Sequence, residues 1–372
     1  MKKRIIRQSP LRKNNRKKKD RKCQSRLTVG LDLGDKKSRY CNLDGRGEIA
    51  REDSVSTTHS GLCELFSRMP RCRIALEVGT HSRWVSRLLA SFGHEVIVAN
   101  SRQLKLISQS SRKCDRMDAR TLARMARADP QLLRPIRHRG ERAQLDLLHV
   151  RVRARLVEAR SGLVNTARGL AKSFGERLPA SDTDQFGTKH LEGLPEPLRA
   201  ALKPLLESVE ELTKKIQALD EQLEQIAREQ YPETKLLTQV YGVGTLIALT
   251  FVLTIDDKER FQKSRDVGCY VGLRPKRGAS GERDPDLPIT KEGDVYLRKM
   301  LVQAAHCILR ERAPDSDLKR AGERVAGKNS KNAKKRALVA VARKVAVLLH
   351  KLWVTGEVYE PLRNCQPQSA AA

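Results

Sequence analysis

Apolar and polar positions follow two different periods along the chain. Between residues 27 and 99, short apolar runs such as LTVGLDLG, RIALEVG and HEVIVAN are bounded by glycine and polar residues, which is typical of buried strands. The DGRG segment at 44–47 predicts a hairpin turn between two further strands. Helical spacing appears at about 58–68 and again in HSRWVSRLLASFG, which ends at Gly93. Strands that alternate with helices predict an α/β layer with a mixed sheet.

The middle of the chain has a helical period throughout. Residues 140–172 form a basic helical pattern, and a connector rich in proline and glycine follows it. Two apolar series then repeat every seven residues: Leu202, Val209, Ile216 and Leu223, and Leu205, Leu212, Leu219 and Ile226. Such a repeat predicts a coiled coil. The seam either joins copies of the chain into a dimer or tetramer or packs on residues 140–172, and both can hold together.

The last third also reads as helical. Gly242 and Gly244 separate two apolar helical stretches, which resembles a helix-hairpin-helix turn whose backbone N–H groups hold a phosphate. A tight helix–helix turn without a ligand has the same pattern. An irregular loop at 274–289 rich in glycine, proline and charge follows, and the chain then returns to helices, the last of them basic.

These patterns predict an α/β fold joined to an α fold, with five segments. A mixed sheet with helices comes first, then a central coiled coil, then a mostly helical C-terminal domain. The predicted boundaries are a basic disordered arm at 1–26, the α/β domain at 27–137, the coiled-coil region at 138–232, the C-terminal domain at 233–364 and a tail at 365–372.

The net charge of the chain indicates which class of molecule it binds. The 372 residues carry 74 Lys and Arg against 44 Asp and Glu, a formal net charge of +30, which favours a polyanion such as nucleic acid. The first 26 residues hold thirteen of the basic side chains and one acid, and so predict a disordered arm that touches phosphates. No apolar run approaches the ~20 residues of a membrane-spanning helix, and the N-terminus lacks the apolar region of a signal peptide.

Cysteine and aromatic content exclude two further kinds of site. The eight cysteines form no CxxC pair, and Cys63 and Cys72 stand apart from other soft ligands, so we expect reduced thiols in a cytoplasmic, nucleoid-associated protein rather than a zinc site. Aromatic residues make up 4% of the chain. This content argues against stacked aromatic platforms and favours phosphate contacts from Lys and Arg.

Four carboxylates are candidate metal ligands. Asp32 and Glu77 end two buried strands, and Asp115 and Asp118 lie three apart on one helical face. If the first and fourth strands are neighbours, a helix that crosses their ends brings all four together. Carboxylate oxygens suit Mg²⁺ or Mn²⁺, and two such ions can flank a scissile phosphate. Taken singly, Asp32 could be a turn acid and Asp115 an N-cap. The strand–strand–helix order makes the full set more specific.

Longer stretches resemble a known family. The segments VGLDLGDKKSRYCNLDGRGEI, ALEVGTHSRWVSRLLASFGHEVIVANSRQL and KCDRMDARTLARM resemble the RuvC-like, RNase H-type domain of the DEDD transposases of the insertion sequence 110 family. The stretch from GVGTLIALTFVLTI to LRKMLVQAAH resembles that family's C-terminal transposase domain. The resemblance covers about 27–137 and 235–355. The basic arm 1–26 is not part of it.

The resemblance implies a mechanism that composition does not show. Members of this family resemble site-specific recombinases that move a circular element and are guided by a structured RNA made from the element's own end. Their serine nucleophile corresponds to Ser280 in RGASGERD. It would attack the phosphodiester and conserve the bond energy in a phosphoserine link, with the carboxylate-bound ions at the same active site. Nearby Lys276, Arg277 and Arg283 would position phosphates.

The sequence thus predicts a transposase that acts on double-stranded DNA with a guide RNA and works as a homo-oligomer. Two alternatives stay open. One is a metal-dependent junction-resolving nuclease in which water replaces Ser280 as the nucleophile. The other is a basic nucleic-acid-binding scaffold without catalysis. A covalent protein–DNA adduct distinguishes the recombinase from the nuclease, and loss of dependence on divalent metal would support the scaffold.

Overall fold

The computed structural model describes residues 27–100, 115–278, 287–327 and 330–364. The chain forms two compact units, one ending at His138 and one beginning at Arg139. The first has a mixed sheet with helices and the second is helical, which confirms the predicted α/β plus α class. The basic arm 1–26 and the tail 365–372 lie outside the described residues. The finer boundary at 232/233 stays a prediction.

A five-stranded sheet organises the first unit in the order β3-β2-β1-β4-β5. Strand β2 runs antiparallel to β1 and β3, whereas β4 is parallel to β1 and β5 is parallel to β4. The first and fourth strands are therefore neighbours, as the interpretation of the carboxylates required. The strands are β1 Thr28–Asp32, β2 Lys37–Leu43, β3 Ile49–Ser56, β4 Arg73–Glu77 and β5 Glu95–Ala99.

The predicted hairpin turn joins β2 to β3. The Asp44 carboxylate accepts hydrogen bonds from the backbone N–H groups of Arg46, Gly47 and Glu48 at 2.8 to 2.9 Å. These bonds, the one from Glu48 first, hold the pKa of Asp44 below its usual range. Gly47 has φ of +93°, which favours glycine. The acid and the glycine of DGRG together explain why the chain reverses there.

Helices cover both faces of this sheet. Helices α1 (His59–Phe66) and α2 (Ser82–Ser91) pack on one face. The core between them and the sheet is formed by Val29, Leu31, Leu62, Phe66, Ile74, Leu76, Val85 and Leu89. Helix α3 (Asp115–Ala128) packs on the other face against β1, β2 and β4. Alternate residues of each strand thus serve two different layers, as the period of a strand requires.

Two long helices form a hairpin in the second unit. Helix α4 (Glu141–Ser173) and helix α5 (Glu196–Gln230) run antiparallel. Arg142 bonds to Gln230 near one end, Arg153 to Asp220 and Arg160 to Thr213 farther along. The predicted coiled-coil seam of Leu202, Val209, Ile216 and Leu223 is buried within the chain. The seam therefore packs on residues 140–172, one of the two arrangements that the repeat allowed.

The remaining helices form a core of their own. Helix α7 (Thr245–Ile255) is largely apolar, and every residue from Ile247 to its end is buried. It packs with α9 and α11 through side chains that include Phe251, Leu301 and Val345. Among the helices described, none is long and apolar enough to cross a membrane. The helices are α6 Thr234–Leu237, α7 Thr245–Ile255, α8 Arg265–Tyr270, α9 Val295–Ile308, α10 Asp317–Ala326 and α11 Lys331–Thr355.

Candidate active site

Asp32 and Glu77 lie side by side at the carboxyl ends of two parallel strands. Asp32 is the last residue of β1 and Glu77 the last of β4. Leu31 pairs with Leu76, so the two acids follow at the same level. Gly30 faces α3, and the alternation along a strand places Asp32 on that face as well. Both carboxylates are half-buried.

Helix α3 approaches β1 as closely as its backbone permits. A Cβ atom added to Gly30 would lie 1.9 Å from the carbonyl oxygen of Ala119 and 2.6 Å from the amide nitrogen of Ala123. No side chain fits in that space, so this approach requires glycine. The alanines of α3 also allow the close approach, because their small side chains leave the surface that faces the sheet nearly flat. The position of α3 over β1 is therefore fixed at Gly30, which lies two residues before Asp32 in the same strand.

The direction of α3 decides which end of the sheet receives its acids. Arg73 donates from Nη1 to the carbonyl oxygen of Ala126 at 3.0 Å, and Arg73 pairs with Thr28 at the start of β1. The end of α3 therefore lies over the strand beginnings. Its first turn extends toward the strand ends, where Asp32 and Glu77 lie. Asp118 is 8% exposed there.

Asp115 differs from Asp118 although the two share a helical face. It is the first residue of α3 and is exposed, whereas Asp118 is buried. The stretch before it lies outside the described residues. The described geometry therefore brings Asp32, Glu77 and Asp118 toward one edge of the sheet and leaves Asp115 at the margin of that edge.

The donor set suits a divalent cation in its chemistry, but its side chains are not arranged around a common point. Carboxylate oxygens are the ligands that Mg²⁺ and Mn²⁺ prefer. Among the described residues, no group of three or more His, Cys, Asp or Glu side chains is arranged to hold a metal ion. Asp32, Glu77 and Asp118 each take part in another polar or electrostatic interaction. Metal binding would therefore exchange these interactions for coordination and rotate the side chains.

Two histidines at this edge were not anticipated from the sequence. His81, just after β4, accepts a hydrogen bond at Nδ1 from Trp84 Nε1 at 3.1 Å, and its Nε2 lies 3.5 Å from Asp35 Oδ1. The Nε2 of His138 lies 3.0 Å from the Oγ of Ser82 at the start of α2. These pairs join the loops after β1 and β4 to their surroundings. No local pattern in the sequence predicts these contacts, because each partner is brought close only by the folded sheet.

An ion pair with a largely covered carboxylate lies on the other flank of α3. Glu52 of β3 accepts hydrogen bonds from Arg116 and Arg120. Its side chain is 9% exposed, and the hydrogen bonds, that of Arg120 first, lower its pKa to about 2. The Cys41 thiol also contacts Glu52, and burial raises the pKa of that thiol to about 11. Neither the pair nor its effect on α3 was foreseen from the sequence.

The loop predicted at 274–289 is closed at its base. Pro275 and Ile289 form an antiparallel bridge, and the N–H of Lys276 donates to the carbonyl oxygen of Pro288 at 2.9 Å. Lys276 and Arg277 are exposed beside this base. Ser280 and Arg283 lie outside the described residues, so their assignments stay predictions.

Gly242 and Gly244 have different surroundings. Gly242 has φ of +83°, and a Cβ atom there would meet the carbonyl oxygen of Ala304 at 2.9 Å, so helix packing alone requires glycine. Gly244 is the N-cap of α7, with open space around its α-carbon and no side-chain cap. The open N-terminus is compatible with a bound phosphate. Phosphate binding at this turn stays a prediction.

Comparison with known proteins assigns the chain to a family. Residues 29–175 match a family model named for the DEDD transposases of IS110, and residues 234–320 match one described as the transposase IS116/IS110/IS902 family. The chain is also 30% identical to the putative transposase y4pF/y4sB of Sinorhizobium fredii, over 80% of this chain and 77% of that protein. The chain belongs to the IS110 family of transposases. It is accordingly a transposase, an enzyme that acts on DNA.

Other relatives align over nearly their whole length. The transposase for insertion sequence element IS1111A of Coxiella burnetii is 26% identical over 92% of this chain and 94% of its own. A probable family 20 transposase of Pseudomonas aeruginosa is 26% identical over 90% of this chain and 98% of its own. The family that the sequence resembled is thereby confirmed. The likeness extends through the helical hairpin as well as the two matched domains.

Proposed function

We propose that this transposase cuts and rejoins DNA strands at the edge of the sheet formed by the ends of β1 and β4. Asp32, Glu77 and Asp118 would hold Mg²⁺ there, with Mn²⁺ as a substitute and Asp115 as a further ligand. One observation carries the proposal: Gly30 lets α3 lie so close to β1 that a buried Asp118 is directed toward the strand ends. Hard oxygen donors at one edge are the ligand set of phosphoryl-transfer ions.

Ser280 is the proposed nucleophile. Its Oγ would form a bond to phosphorus as a deoxyribose oxygen leaves, with the serine proton passing to solvent or a nearby base. Attack by a deoxyribose hydroxyl on the phosphoserine would reverse these changes and rejoin a strand without an external energy source. The bound ions would supply Lewis-acid activation and charge neutralisation.

The basic side chains would place the DNA. Lys276 and Arg277 stand beside the base of the loop that carries Ser280, and Arg283 follows in the same loop. Arg and Lys contacts to phosphate fix the register of a duplex without reading its sequence. The turn at Gly242 and Gly244 would add backbone N–H contacts to a phosphate.

The adduct tests the recombinase against the nuclease. On a nicked DNA substrate with Mg²⁺, the wild type should accumulate a protein–DNA link that survives denaturation. Ser280→Ala should form none, yet should bind DNA and metal normally. Asp118→Asn should lose cleavage by at least about 100-fold, because a developing charge loses its stabilisation. Hydrolysis without any adduct would favour the nuclease, and an adduct mapped to another residue would refute Ser280.

Base pairing with a bound RNA is the proposed source of target choice. The net charge of +30 supports binding to two polyanions, and phosphate contacts give affinity without sequence. An RNA strand can supply the missing specificity. Protein expressed with the DNA that flanks its gene should purify with a discrete RNA from those flanks. Ribonuclease should abolish site-specific recombination and leave salt-sensitive DNA binding. Correct targeting by RNA-free protein would contradict the guided mechanism.

The proposed homo-oligomer is best formed through α4. The seam of α5 is already buried against α4, but α4 has a second apolar series on its outer side. Five of these side chains are between 43% and 73% exposed: Leu145, Leu148, Val152, Leu170 and Phe174. Leu156 continues the series and is half-buried, whereas Leu163, seven residues before Leu170, packs against the core of the hairpin. We call the five exposed residues and Leu156 the outer seam.

In the first half of α4, the outer seam lies opposite the face that packs on α5. Val152 follows the buried Val150 by two residues, which places the two side chains about 200° apart around the helix. A seven-residue apolar repeat on a surface helix is the pattern through which a helix pairs with a copy of itself. Two copies joined there would give a recombinase the paired active sites that strand exchange needs.

A further inference from the structure

Helix α3 contacts the centre of the sheet closely and through small side chains. Across the sheet, Cys41 pairs with Gly30 and Gly30 pairs with Ala75. Ala119 and Ala123 of α3 pack against this row. Helices are normally held in rotation by side-chain ridges that fit into grooves. The row of glycine, alanine and cysteine offers low ridges, so the rotation of α3 about its axis depends on the larger side chains beside the row, Leu43 and Leu122, and on the polar contacts along its flanks.

The two flanks of α3 carry different groups. Arg116 and Arg120 stand two residues before and after Asp118, which places them about 160° around the helix from it. The arginines point toward β3 and Asp118 lies on the opposite flank, on the side of β1 and β4. A small rotation that releases the arginines would therefore displace Asp118 from the strand ends.

Glu52 joins the arginine flank to the edge of the sheet. It pairs with Cys41 and so lies in the same row as Gly30. Its Oε2 accepts from Arg116 Nε at 2.8 Å and from Arg120 Nη2 at 2.7 Å, and its Oε1 contacts Arg120 Nε. Charge-assisted bonds in a planar, two-pronged arrangement fix orientation as well as distance. The contact lies at the same level of the helix as Asp118.

A second tether holds the far end of the same flank. Arg127 donates from Nη1 to the carbonyl oxygen of Asp44 at 3.1 Å and from Nη2 to that of Gly45 at 2.6 Å. Arg127 is nine residues beyond Asp118, about 14 Å along the helix. It ties the end of α3 to the β2–β3 turn, away from the strand ends, and so provides a matched control.

We propose that Glu52 is a positioning residue for the active site, and that through Arg116 and Arg120 it fixes the rotation of α3 and holds Asp118 toward Asp32 and Glu77. Glu52 touches neither metal nor DNA in this role. The inference rests on the proposed metal site, and it adds a residue of β3, the edge strand farthest from β4, to the parts on which that site depends.

Metal affinity separates positioning from simple stabilisation. Full-length Glu52→Gln retains the shape of the side chain but loses its charge. It should bind Mn²⁺ roughly 10-fold more weakly, the size of effect usual for groups that orient ligands, as measured by electron paramagnetic resonance on DNA-free protein. Its slowed DNA cleavage should recover as Mg²⁺ is raised. Arg127→Gln should lower the thermal midpoint comparably while its Mn²⁺ affinity stays close to that of the wild type.

Three outcomes are distinguishable in one experiment. Wild-type Mn²⁺ affinity in Glu52→Gln, with a lowered thermal midpoint, would overturn the positioning role. Asp118→Asn in the same titration tests the metal site itself, and unchanged affinity there would refute the proposed function instead. If Glu52→Gln does not fold, Arg116→Gln leaves Arg120 in place and should give a smaller loss of Mn²⁺ affinity; no loss in that folded variant would equally overturn the proposal.

Discussion

Helix α3 and helix α4 are both packed on one side by apolar residues, but they pack in different ways. Helix α3 meets β1 through Gly30 and small alanines, so backbone approaches backbone. Helix α4 meets α5 through a heptad series of leucine and valine, and a second apolar series remains on its outer side. On α3, small residues allow the helix backbone to lie directly on the sheet. In the hairpin of α4 and α5, larger residues form the contact between the helices, and a further apolar surface of α4 remains exposed.

The largest expected effect comes from filling the space at Gly30. Gly30→Val would force its side chain into the backbone of Ala119 and Ala123, so α3 must move away or the first unit must unfold. We expect destabilisation of several kcal/mol, since overpacking commonly costs about 1–3 kcal/mol even without a backbone clash. Thermal unfolding and Mn²⁺ binding would both report it.

Gly162 is the matched control on the other helix. It lies within α4, and an added Cβ would have nothing within 4 Å. Gly162→Ala should therefore be neutral or stabilising, by roughly 0.5–1 kcal/mol. Comparable damage from both variants would show that α3 does not depend on its close approach to β1.

A charge in each seam of the hairpin should have opposite consequences. Val209 is buried in the inner seam, so Val209→Asp should unfold the hairpin, because an unpaired buried charge is costly. Leu148→Asp with Val152→Asp alters only the outer seam and should leave the thermal midpoint nearly unchanged while dissociating the oligomer. Light scattering and thermal unfolding, measured on both variants, decide between the seams.

Val209 and Ile216 belong to the heptad series for which the sequence left self-association and packing within the chain open. Substitutions at Val209 and Ile216 are not a clean test of assembly, because both side chains are buried within one chain. A wild type that remains monomeric with nucleic acid would refute the outer seam. An oligomer that survives the change at Leu148 and Val152 would place the interface elsewhere.

The smallest expected effect is a change in stability at acid pH. The pKa of Glu52 is lowered to about 2 in the folded chain from an ordinary value of 4.5. A carboxylate whose pKa is lowered by folding contributes stability that is fully present above its unfolded pKa. This stability is lost as the pH falls through its folded pKa. Stability should therefore fall between about pH 4.5 and 2, and Glu52→Gln should fall less steeply over that window. Equal slopes in urea unfolding would contradict the assignment.

Local pattern was sufficient for the elements and for the positions of the acids. The alternation in LTVGLDLG and RIALEVG depends only on neighbours, and it placed Asp32 and Glu77 at two strand ends. The turn at 44–47 and helices α4 and α5 were predicted for the same reason. The resemblance to the family, carried by the same stretches, was confirmed by comparison.

The sequence alone predicted most of the strands and helices, the positions of the acids within them and a polyanion as partner, because periodicity, turn chemistry and net charge are local or additive. Only the tertiary structure decided which of two apolar seams is free, since a heptad repeat does not say what covers it. It also decided that Glu52 meets Arg116 and Arg120, 64 and 68 residues away. Such contacts depend on sheet register and on the close approach at Gly30, and neither is encoded within any one segment.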